Sequence, residues 1–337
     1  MRAWEIGEFG LQGLRLCERP DPTPGPGQVV VEVRSVSLNF RDLLMIKGQY
    51  NPRQPLPLIP CSDGVGAVIA VGSGVKRVRP GERVVGVFCP TWLDGEPTRE
   101  NLRGTLGGPL DGMLSERVLL LAEGVSAVPA HLSDDEAATL PCAALTAWSA
   151  LVTYGRVTAG DTVLLQGTGG VSMMALQLCK LLGARTIMTS SSDDKLARVR
   201  ELGADEVINY REQAEWGRVA RELTAGRGVD LVVEVGGIAT LEQSIRATRI
   251  GGTIALVGNL TGGKGTLNVI PFFMSHQRMQ GVLVGHRAGF EAMCRAIAQH
   301  GMRPVIDRVF PFTEARAAFD HLETGAHLGK VCISVRS

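Results

Sequence analysis

The apolar residues in the first third of the chain come in short runs rich in valine, separated by glycine and proline. Runs of this kind occur at 29–33, 65–71 and 83–88, within the stretch 27–121. Short β-branched runs with frequent turn signals predict a compact, mostly β domain. The segment 89–112 is polar and glycine-rich, and we expect it to form a long surface loop.

From Ser133 onward the hydrophobic pattern changes. Ser133 and Glu136 have the spacing of a capping box, which predicts the start of an alanine-rich helical stretch. Further along, apolar runs of strand length alternate with stretches of helix length, which predicts a doubly wound parallel sheet. The predicted strands are 162–166, 185–189, 206–209, 231–235, 253–257 and 281–285, the predicted helices are 171–182, 194–203, 213–223, 241–249 and 290–300, and a β-like segment at 330–335 ends the pattern.

The sharpest chemical signal is a glycine turn between a predicted strand and a predicted helix. Gly167, Gly169 and Ser172 fit the pattern G-x-G-x-x-small, with serine where a third glycine or alanine is usual. The first glycine permits the tight turn, and the second lets the backbone approach a pyrophosphate. The helix that follows presents free N–H groups and a positive dipole end to the phosphates. The predicted cofactor-binding residues here are Gly167, Thr168, Gly169, Gly170 and Val171.

The end of the next predicted strand indicates which cofactor is bound. An NAD site usually has Asp or Glu there, but this chain has a threonine and three serines at 189–192. Ser191 can donate to a 2′-phosphate, Lys195 can neutralise it, and Tyr210 could reach the same pocket. Against this, carboxylates stand at 193–194, and Lys195 could be an ordinary solvated helix residue. The prediction favours NADP over NAD.

Composition and charge narrow the class of protein. Lys and Arg number 35 against 34 Asp and Glu, so the net charge of +1 attracts neither nucleic acid nor a membrane surface. The 7 cysteines are scattered without a CxxC pair, which argues against a disulfide framework and for a reducing compartment. The uncharged stretch 137–155 is diluted by proline and hydroxyl residues, so we expect a buried helix there. The prediction is a soluble, cytoplasmic protein acting on a small molecule, with no nucleic-acid or membrane partner.

Several segments together resemble one enzyme superfamily. They are 36–42 (VSLNFRD), 59–66 (IPCSDGVG), 140–148 (LPCAALTAW), 166–172 (QGTGGVS), 202–210 (LGADEVINY) and 329–331 (GKV). On these segments the chain is similar to the medium-chain dehydrogenase/reductase superfamily, and within it to the zinc-independent alcohol dehydrogenase-like and quinone oxidoreductase-like branch. The resemblance implies an α/β protein: a GroES-like, mostly β catalytic domain (1–128 and 286–337), a Rossmann NADP-binding domain (129–285), an active site in the cleft between them, and a homodimer.

The resemblance is most informative where zinc ligands are missing. Zinc-dependent members bind the catalytic metal with a cysteine, a Gly-His-Glu motif and a second cysteine. Here Asn39 stands at the first cysteine position, Cys61-Ser62-Asp63 replaces Gly-His-Glu, and only Cys142 matches a ligand. One soft ligand cannot hold a zinc site. The structural-zinc lobe would need four cysteines near 89–112, where only Cys89 occurs, so we predict no metal site.

Without zinc there is no Lewis acid to polarise a simple ketone. The resemblance then implies hydride transfer from NADPH to a carbonyl-conjugated double bond or a quinone. The developing enolate charge needs hydrogen-bond donors, and the candidates are Asn39 and Tyr50, although Asn39 could be a plain turn residue and Tyr50 could pack at a loop edge. Many relatives have tyrosine where this chain has Phe40. A zinc-free alcohol or aldehyde dehydrogenase and a non-catalytic NADPH-binding protein remain as alternatives.

Other candidate residues follow predicted strands or family motifs. Gly258 and Asn259 lie after the predicted strand 253–257, at the edge where α/β sheets bind ligands, so we expect them on the nicotinamide side of the cofactor. Lys330 resembles a family position near the cofactor, with a surface role as the alternative. His286 is expected in a loop.

Overall fold

Two compact units make up the chain, and the computed structural model describes residues 1–336 of it. The first unit comprises Met1–Leu145 and the residues from Val284 onward, and the second comprises Thr146–Leu283. The second unit is thus a continuous stretch of sequence, whereas the first is assembled from two separate stretches.

The segment 129–145 lies in the first unit, although the sequence-based division placed it with the α/β domain. The Ser35 hydroxyl donates to the Asp135 carboxylate at 2.6 Å. The backbone N–H of Cys142 donates to the Asp63 carboxylate at 3.0 Å. These polar contacts tie the segment to strands of the first unit, which the change of hydrophobic pattern near Ser133 does not reveal.

The strands follow the apolar runs of the sequence. Many of them are rich in β-branched residues, which fit a pleated, buried surface. The strands are β1 Arg2–Ile6, β2 Leu14–Glu18, β3 Gln28–Ser37, β4 Asp63–Val71, β5 Arg83–Gly86, β6 Arg117–Leu121, β7 Val125–Ala127, β8 Thr162–Gln166, β9 Arg185–Ser190, β10 Glu206–Asn209, β11 Val229–Glu234, β12 Thr248–Leu256, β13 Arg278–Gly281, β14 Ile306–Pro311 and β15 Lys330–Ser334.

The helices lie mostly in the second half of the chain. Ser133 and Glu136 form the predicted capping box at the start of α2. Within residues 1–336 no helix is long and apolar enough to cross a membrane. The helices are α1 Phe40–Ile46, α2 Asp134–Ala138, α3 Leu145–Trp148 with π-helical turns Leu140–Ala144 and Ser149–Tyr154 on either side, α4 Gly170–Leu182, α5 Asp193–Glu201, α6 Trp216–Glu222, α7 Leu241–Ala247, α8 Ile270–Met274, α9 Arg287–His300 and α10 Ala315–Thr324.

The main sheet of the first unit is centred on the long strand β3. Strand β4 pairs along one side of β3, and β6 and β15 share its other side, all antiparallel. The strand order is β14-β15-β3-β4-β5-β7. The apolar residues Val29, Val31 and Val33 alternate along β3 and are buried in the core. Because β15 pairs with the end of β3, the start of β15 lies beside the chain that leaves β3 for α1.

The second unit contains the predicted doubly wound parallel sheet. Its strand order is β10-β9-β8-β11-β12-β13, and every pairing between these strands is parallel. The order reverses direction between β8 and β11, and α/β sheets bind ligands at the carboxyl ends of strands beside such a reversal.

The predicted strand 281–285 is wrong. Strand β13 covers Arg278–Gly281, and its last paired residue, Gly281, lies opposite Leu256 at the end of β12. Because β12 ends at Leu256, it offers no further residues with which 282–285 could pair as a strand. Val284 has a positive φ of 50°, which is outside the strand region for a β-branched residue.

Candidate functional site

The glycine turn between β8 and α4 has the geometry of a phosphate-binding turn. Gly167 has a φ of 70°. Among the described residues beyond its chain neighbours, no heavy atom lies within 4 Å of where a Cβ would stand. Gly169 is the N-cap of α4 and has no side chain that could accept from the first N–H groups of the helix. Open space above the turn and uncapped N–H groups at a helix start suit an anionic group.

Ser172 connects this turn to the strand that precedes it. Its hydroxyl is buried and donates to the backbone carbonyl of Gln166 at 2.5 Å. The serine therefore fits the place of the usual third glycine because its hydroxyl finds an acceptor at the end of β8. This bond fixes the first turn of α4 relative to β8.

The ends of β9 and β10 lie side by side, since Ser190 pairs with Asn209. The hydroxyl of Ser192 accepts from the N–H of Lys195 at 3.4 Å and caps α5. The Asn209 amide donates to the Asp193 carboxylate at 2.9 Å, so one of the two nearby acids is engaged by the protein. The structure thus brings the predicted residues Ser191, Lys195 and Tyr210 to one edge of the sheet, with Tyr210 42% exposed.

Gly258 and Asn259 follow β12 at the same edge. A Cβ on Gly258 would stand 2.7 Å from the carbonyl oxygen of Val235, so only glycine allows the two loops to approach this closely. Asn259 is exposed, and its backbone carbonyl accepts from the N–H of Gly262 at 2.8 Å. The predicted cofactor residues of the second unit therefore all lie at the carboxyl edge of one parallel sheet.

Asn39 lies in a buried polar cluster of the first unit. It is the N-cap of α1, and its backbone N–H donates to the Asp42 carboxylate at 2.8 Å. The ammonium of Lys330 donates to Asn39 Oδ1 at 2.6 Å and also to the backbone carbonyl of Leu38. The other end of the amide, Nδ2, donates to the Ser62 hydroxyl at 3.4 Å. The amide orientation is therefore set by Lys330.

Asp63, like Asp42, is a fully buried acid of the same cluster. Its carboxylate accepts from the Ser62 hydroxyl at 2.7 Å and from the N–H of Cys142 at 3.0 Å. Burial raises the pKa of Asp63 from 3.8 to about 6, although the charge of Lys330 lowers it. The sequence analysis named Asn39 and set Ser62 and Asp63 at the former metal motif, but it treated Lys330 as a cofactor residue and did not predict its contact with Asn39.

The residues at the catalytic-zinc position do not fit a zinc ion. The oxygen of Asn39 is occupied by an ammonium group, and the carboxylate of Asp63 already accepts hydrogen bonds. Cys142 is the one thiol at these ligand positions, and one soft ligand cannot hold a zinc ion. Among residues 1–336, no group of three or more His, Cys, Asp and Glu side chains is placed to hold a metal.

Tyr50 lies beyond α1 and is 43% exposed. The buried guanidinium of Arg41 lies over its ring, 4.8 Å from the ring centre, and over the ring of Phe88 at 4.9 Å. Arg41 also donates to the carbonyl of Leu106 at 2.8 Å and lies 3.5 Å from the Asp42 carboxylate. Arg41 thus has a structural role: it connects the tyrosine to the start of α1 and to the loop 89–112.

Glu234 is the other polar residue that sequence reasoning missed. It ends β11 and is fully buried, with Gln166 of the neighbouring strand β8 as a partner. The sequence does contain a signal that could have identified Glu234: it is a carboxylate inside the otherwise apolar run Leu231–Val235, just before two glycines.

Both units match known protein families. Residues 25–130 match the family model for the alcohol dehydrogenase GroES-like domain, and residues 170–299 match that for zinc-binding dehydrogenases. The chain belongs to the medium-chain dehydrogenase/reductase superfamily. The predicted combination of a GroES-like domain and a Rossmann domain is therefore confirmed, and the protein is an oxidoreductase of this superfamily.

Several similar proteins are named as alcohol dehydrogenases or as alcohol dehydrogenase-like. A zinc-type alcohol dehydrogenase-like protein from Schizosaccharomyces pombe is 38% identical over 92% of this chain and 91% of its own. The crystal structure of a putative alcohol dehydrogenase from Sinorhizobium meliloti 1021 is 42% identical, with a TM-score of 0.93 over 99% of this chain and 98% of its own. A structure described as an NAD-dependent alcohol dehydrogenase is 35% identical, with a TM-score of 0.91 over all of both chains.

More distant members carry other names. The acryloyl-coenzyme A reductase of Metallosphaera sedula is 27% identical over 96% of this chain and 97% of its own. A mycobacterial protein solved with NADPH is also 27% identical, with a TM-score of 0.84 over 99% of both chains. The names alone therefore leave both the reaction and the preference for NADPH or NADH open within the superfamily.

Proposed function

We propose that this chain is an NADPH-dependent reductase that needs no catalytic zinc and transfers a hydride to a carbonyl-conjugated double bond or a quinone. The observation that carries the proposal is the Lys330–Asn39–Ser62–Asp63 cluster, which occupies the catalytic-metal position with side chains already bonded to one another. A relative that reduces the conjugated double bond of a thioester, acryloyl-coenzyme A reductase, supports the substrate class.

The first unit supplies donors for the substrate carbonyl. Because Lys330 occupies the oxygen of the Asn39 amide, only Nδ2 faces away from it, with one hydrogen directed to Ser62. The second hydrogen of Nδ2 is available for a substrate oxygen on which enolate charge develops. The Tyr50 hydroxyl supplies the proton that completes the reduction. With a conjugated double bond the proton goes to the carbon next to the carbonyl and the product is a saturated ketone or thioester, whereas with a quinone it goes to oxygen and the product is a hydroquinone. Solvent, to which the Tyr50 side chain is exposed, returns a proton to the phenolate.

The second unit supplies the cofactor site. When bound, the reduced nicotinamide provides the hydride. The turn at 167–171 holds the pyrophosphate, while Gly258 and Asn259 lie at the edge expected for the nicotinamide. Ser191, Lys195 and Tyr210 would bind the ribose phosphate. The serines at 190–192 support NADPH over NADH, because the end of β9 lacks the acid that would bind the ribose hydroxyls of NADH and repel a 2′-phosphate.

Replacing Lys195 by alanine tests the cofactor assignment. We expect the Kd for NADPH to rise about tenfold, because one charge-assisted hydrogen bond is lost. The Kd for NADH should stay constant. Both are measured by quenching of tryptophan fluorescence. The control is Arg198→Ala on the exposed face of the same helix, where Arg198 pairs with Glu201. An unchanged NADPH preference in Lys195→Ala contradicts the assignment.

The reaction class is tested by following NADPH oxidation with enones, quinones and enoyl thioesters in the presence of a metal chelator. Turnover of any of these substrates in chelator is the expected result. Reduction of NADP by alcohols would instead support the second candidate, an alcohol dehydrogenase, which the names of several relatives favour. Tight NADPH binding without turnover of either kind would favour the third candidate, a non-catalytic binding protein.

A homodimer is the remaining part of the proposal. Strand β13 is an edge strand of the second unit's sheet, so its outer side offers unpaired backbone groups. The nearby helix α8 exposes Ile270 (59%), Phe273 (56%) and Met274 (68%). Exposed apolar side chains in one patch mark association surfaces. Light scattering is expected to give twice the chain mass, and Phe273→Glu is expected to give the mass of one chain.

A further inference from the structure

A buried carboxylate lies where the strand order of the second unit reverses. Glu234 ends β11, is fully buried, and neighbours Gln166 at the end of β8. Its Oε1 accepts from the N–H groups of Gly236 at 2.8 Å and Gly237 at 3.0 Å, and from the Thr240 hydroxyl at 2.6 Å. These donors all belong to the loop that leaves β11, so the carboxylate holds that loop in one conformation.

The second oxygen of Glu234 connects this loop to the glycine turn. Oε2 accepts from the Gln166 amide at 2.7 Å and from the Ser244 hydroxyl. The amide oxygen of Gln166 accepts from the N–H groups of Val235 and Gly236, both at 3.1 Å. Because a backbone N–H can only donate, these two bonds fix which end of the Gln166 amide faces Glu234.

Gln166 is also the residue immediately before the phosphate-binding turn. Its backbone carbonyl accepts from Ser172 in the first turn of α4, while its side chain faces Glu234. A single buried network therefore spans the turn after β8 and the loop after β11. Every donor to the Glu234 carboxylate described above is neutral, so the network matches donors with acceptors rather than pairing opposite charges.

We propose that Glu234 is a positioning residue for the cofactor: together with Gln166 it sets the distance between the phosphate turn and the Gly236–Gly237 loop. The inference rests on the proposed function, since it assumes that this edge of the sheet binds a nicotinamide dinucleotide. Glu234 touches no cofactor in this role. It acts by holding the backbone N–H groups of both loops in a preorganised arrangement, so that binding does not have to order them.

Because each donor in this network meets an acceptor, exchanging the glutamate at 234 with the glutamine at 166 gives a specific test. In Glu234→Gln, the new amide group faces the amide group of Gln166, so two donors meet. In Gln166→Glu, two carboxylates meet instead. In the double variant the network is rebuilt in mirror form: the new amide at position 234 accepts from Gly236, Gly237 and Thr240 and donates to the new carboxylate at position 166, which accepts from Val235 and Gly236.

Wild type, the single variants and the double variant are compared by the Kd for NADPH, measured by fluorescence, and by the midpoint of thermal unfolding. We expect each single variant to bind NADPH about tenfold more weakly, the cost of one unpaired buried polar group, and the double variant to return to within about threefold of wild type. The control is Asp230→Asn at the opposite end of β11, where Arg227 and Arg249 donate to the carboxylate, each at 2.6 Å. It should lower the unfolding midpoint and leave the Kd unchanged.

A folded Glu234→Gln with wild-type affinity overturns the proposal, as does a folded double variant as weak as the single ones. If the single variants do not fold, Thr240→Val removes one donor with little change of volume, and the Kd is expected to rise about threefold; no change overturns the proposal. If wild type binds neither NADPH nor NADH, the proposed function fails instead, and the two failures are thereby distinguished.

Discussion

Replacing Gly167 by alanine tests whether the turn after β8 is kept open for a phosphate. Gly167 has a φ of 70°, and within the described chain nothing beyond its neighbours approaches the place of a Cβ within 4 Å. Alanine therefore costs only the left-handed backbone conformation, about 1–2 kcal/mol of folding free energy. The new methyl group projects into the space where the pyrophosphate would approach the backbone.

The chain offers a matched control at the other end of the same strand. Gly160 precedes β8 and has a φ of 90°. Among residues 1–336, no heavy atom beyond its chain neighbours lies within 4 Å of where its Cβ would stand. Gly160→Ala and Gly167→Ala should lower the midpoint of thermal unfolding by similar amounts. Only Gly167→Ala should weaken binding, because a displaced phosphate loses a charge-assisted hydrogen bond worth about 1.5–3 kcal/mol, or about 10- to 150-fold in Kd. Equal Kd values for NADPH in the two variants would refute the phosphate turn.

Further predictions concern the first unit. Burial raises the pKa of the Asp63 carboxyl to about 6, so the folded state binds the carboxyl proton more tightly than the unfolded state. The free energy of unfolding therefore falls by about 3 kcal/mol as the pH rises from about 4 to about 6. Urea titrations across this pH range should show the free energy of unfolding falling with pH in wild type but not, by this amount, in Asp63→Asn. The same dependence on pH in both proteins would contradict the prediction. Lys330→Met should lower kcat and leave the Kd for NADPH unchanged if Lys330 acts on Asn39, whereas a raised Kd would support the cofactor contact predicted from the sequence. Tyr50→Phe should lower kcat far more than cofactor affinity, and an unchanged kcat removes Tyr50 from the mechanism.

Most of the second unit could be predicted because its signals are local. A strand buried on both faces of a parallel sheet is a run of apolar residues bounded by turns, and the predicted bounds of β8 and β10 agree with the structure. The prediction failed at 281–285, where valine and leucine favour a strand but the neighbouring strand has ended. The same dependence on a partner extends β12 back to Thr248, through two glycines that the sequence pattern excluded.

The same distinction between local and long-range signals decides which parts of the candidate site could be predicted. The glycine turn is local in sequence, and its residues were named from their spacing alone. The contact between Asn39 and Lys330 joins positions 291 residues apart, so no pattern in the sequence reveals that one fixes the other. Glu234 and Gln166 are 68 residues apart and come together only when β8 and β11 pair. Such positioning groups depend on tertiary structure, whereas groups that bind a ligand directly often lie within one motif.

The position of β15 in the chain has a consequence for how the protein is made. Strands β8 to β13 all lie within Thr146–Leu283, so the second unit has its whole sheet as soon as that stretch leaves the ribosome. The first unit still lacks β14 and β15 at that moment, and with them the lysine that orients Asn39. Domains generally fold from the N-terminus onward during synthesis. The topology of this chain allows the reverse order: the nascent polypeptide can present a cofactor edge before the polar cluster at Asn39 exists.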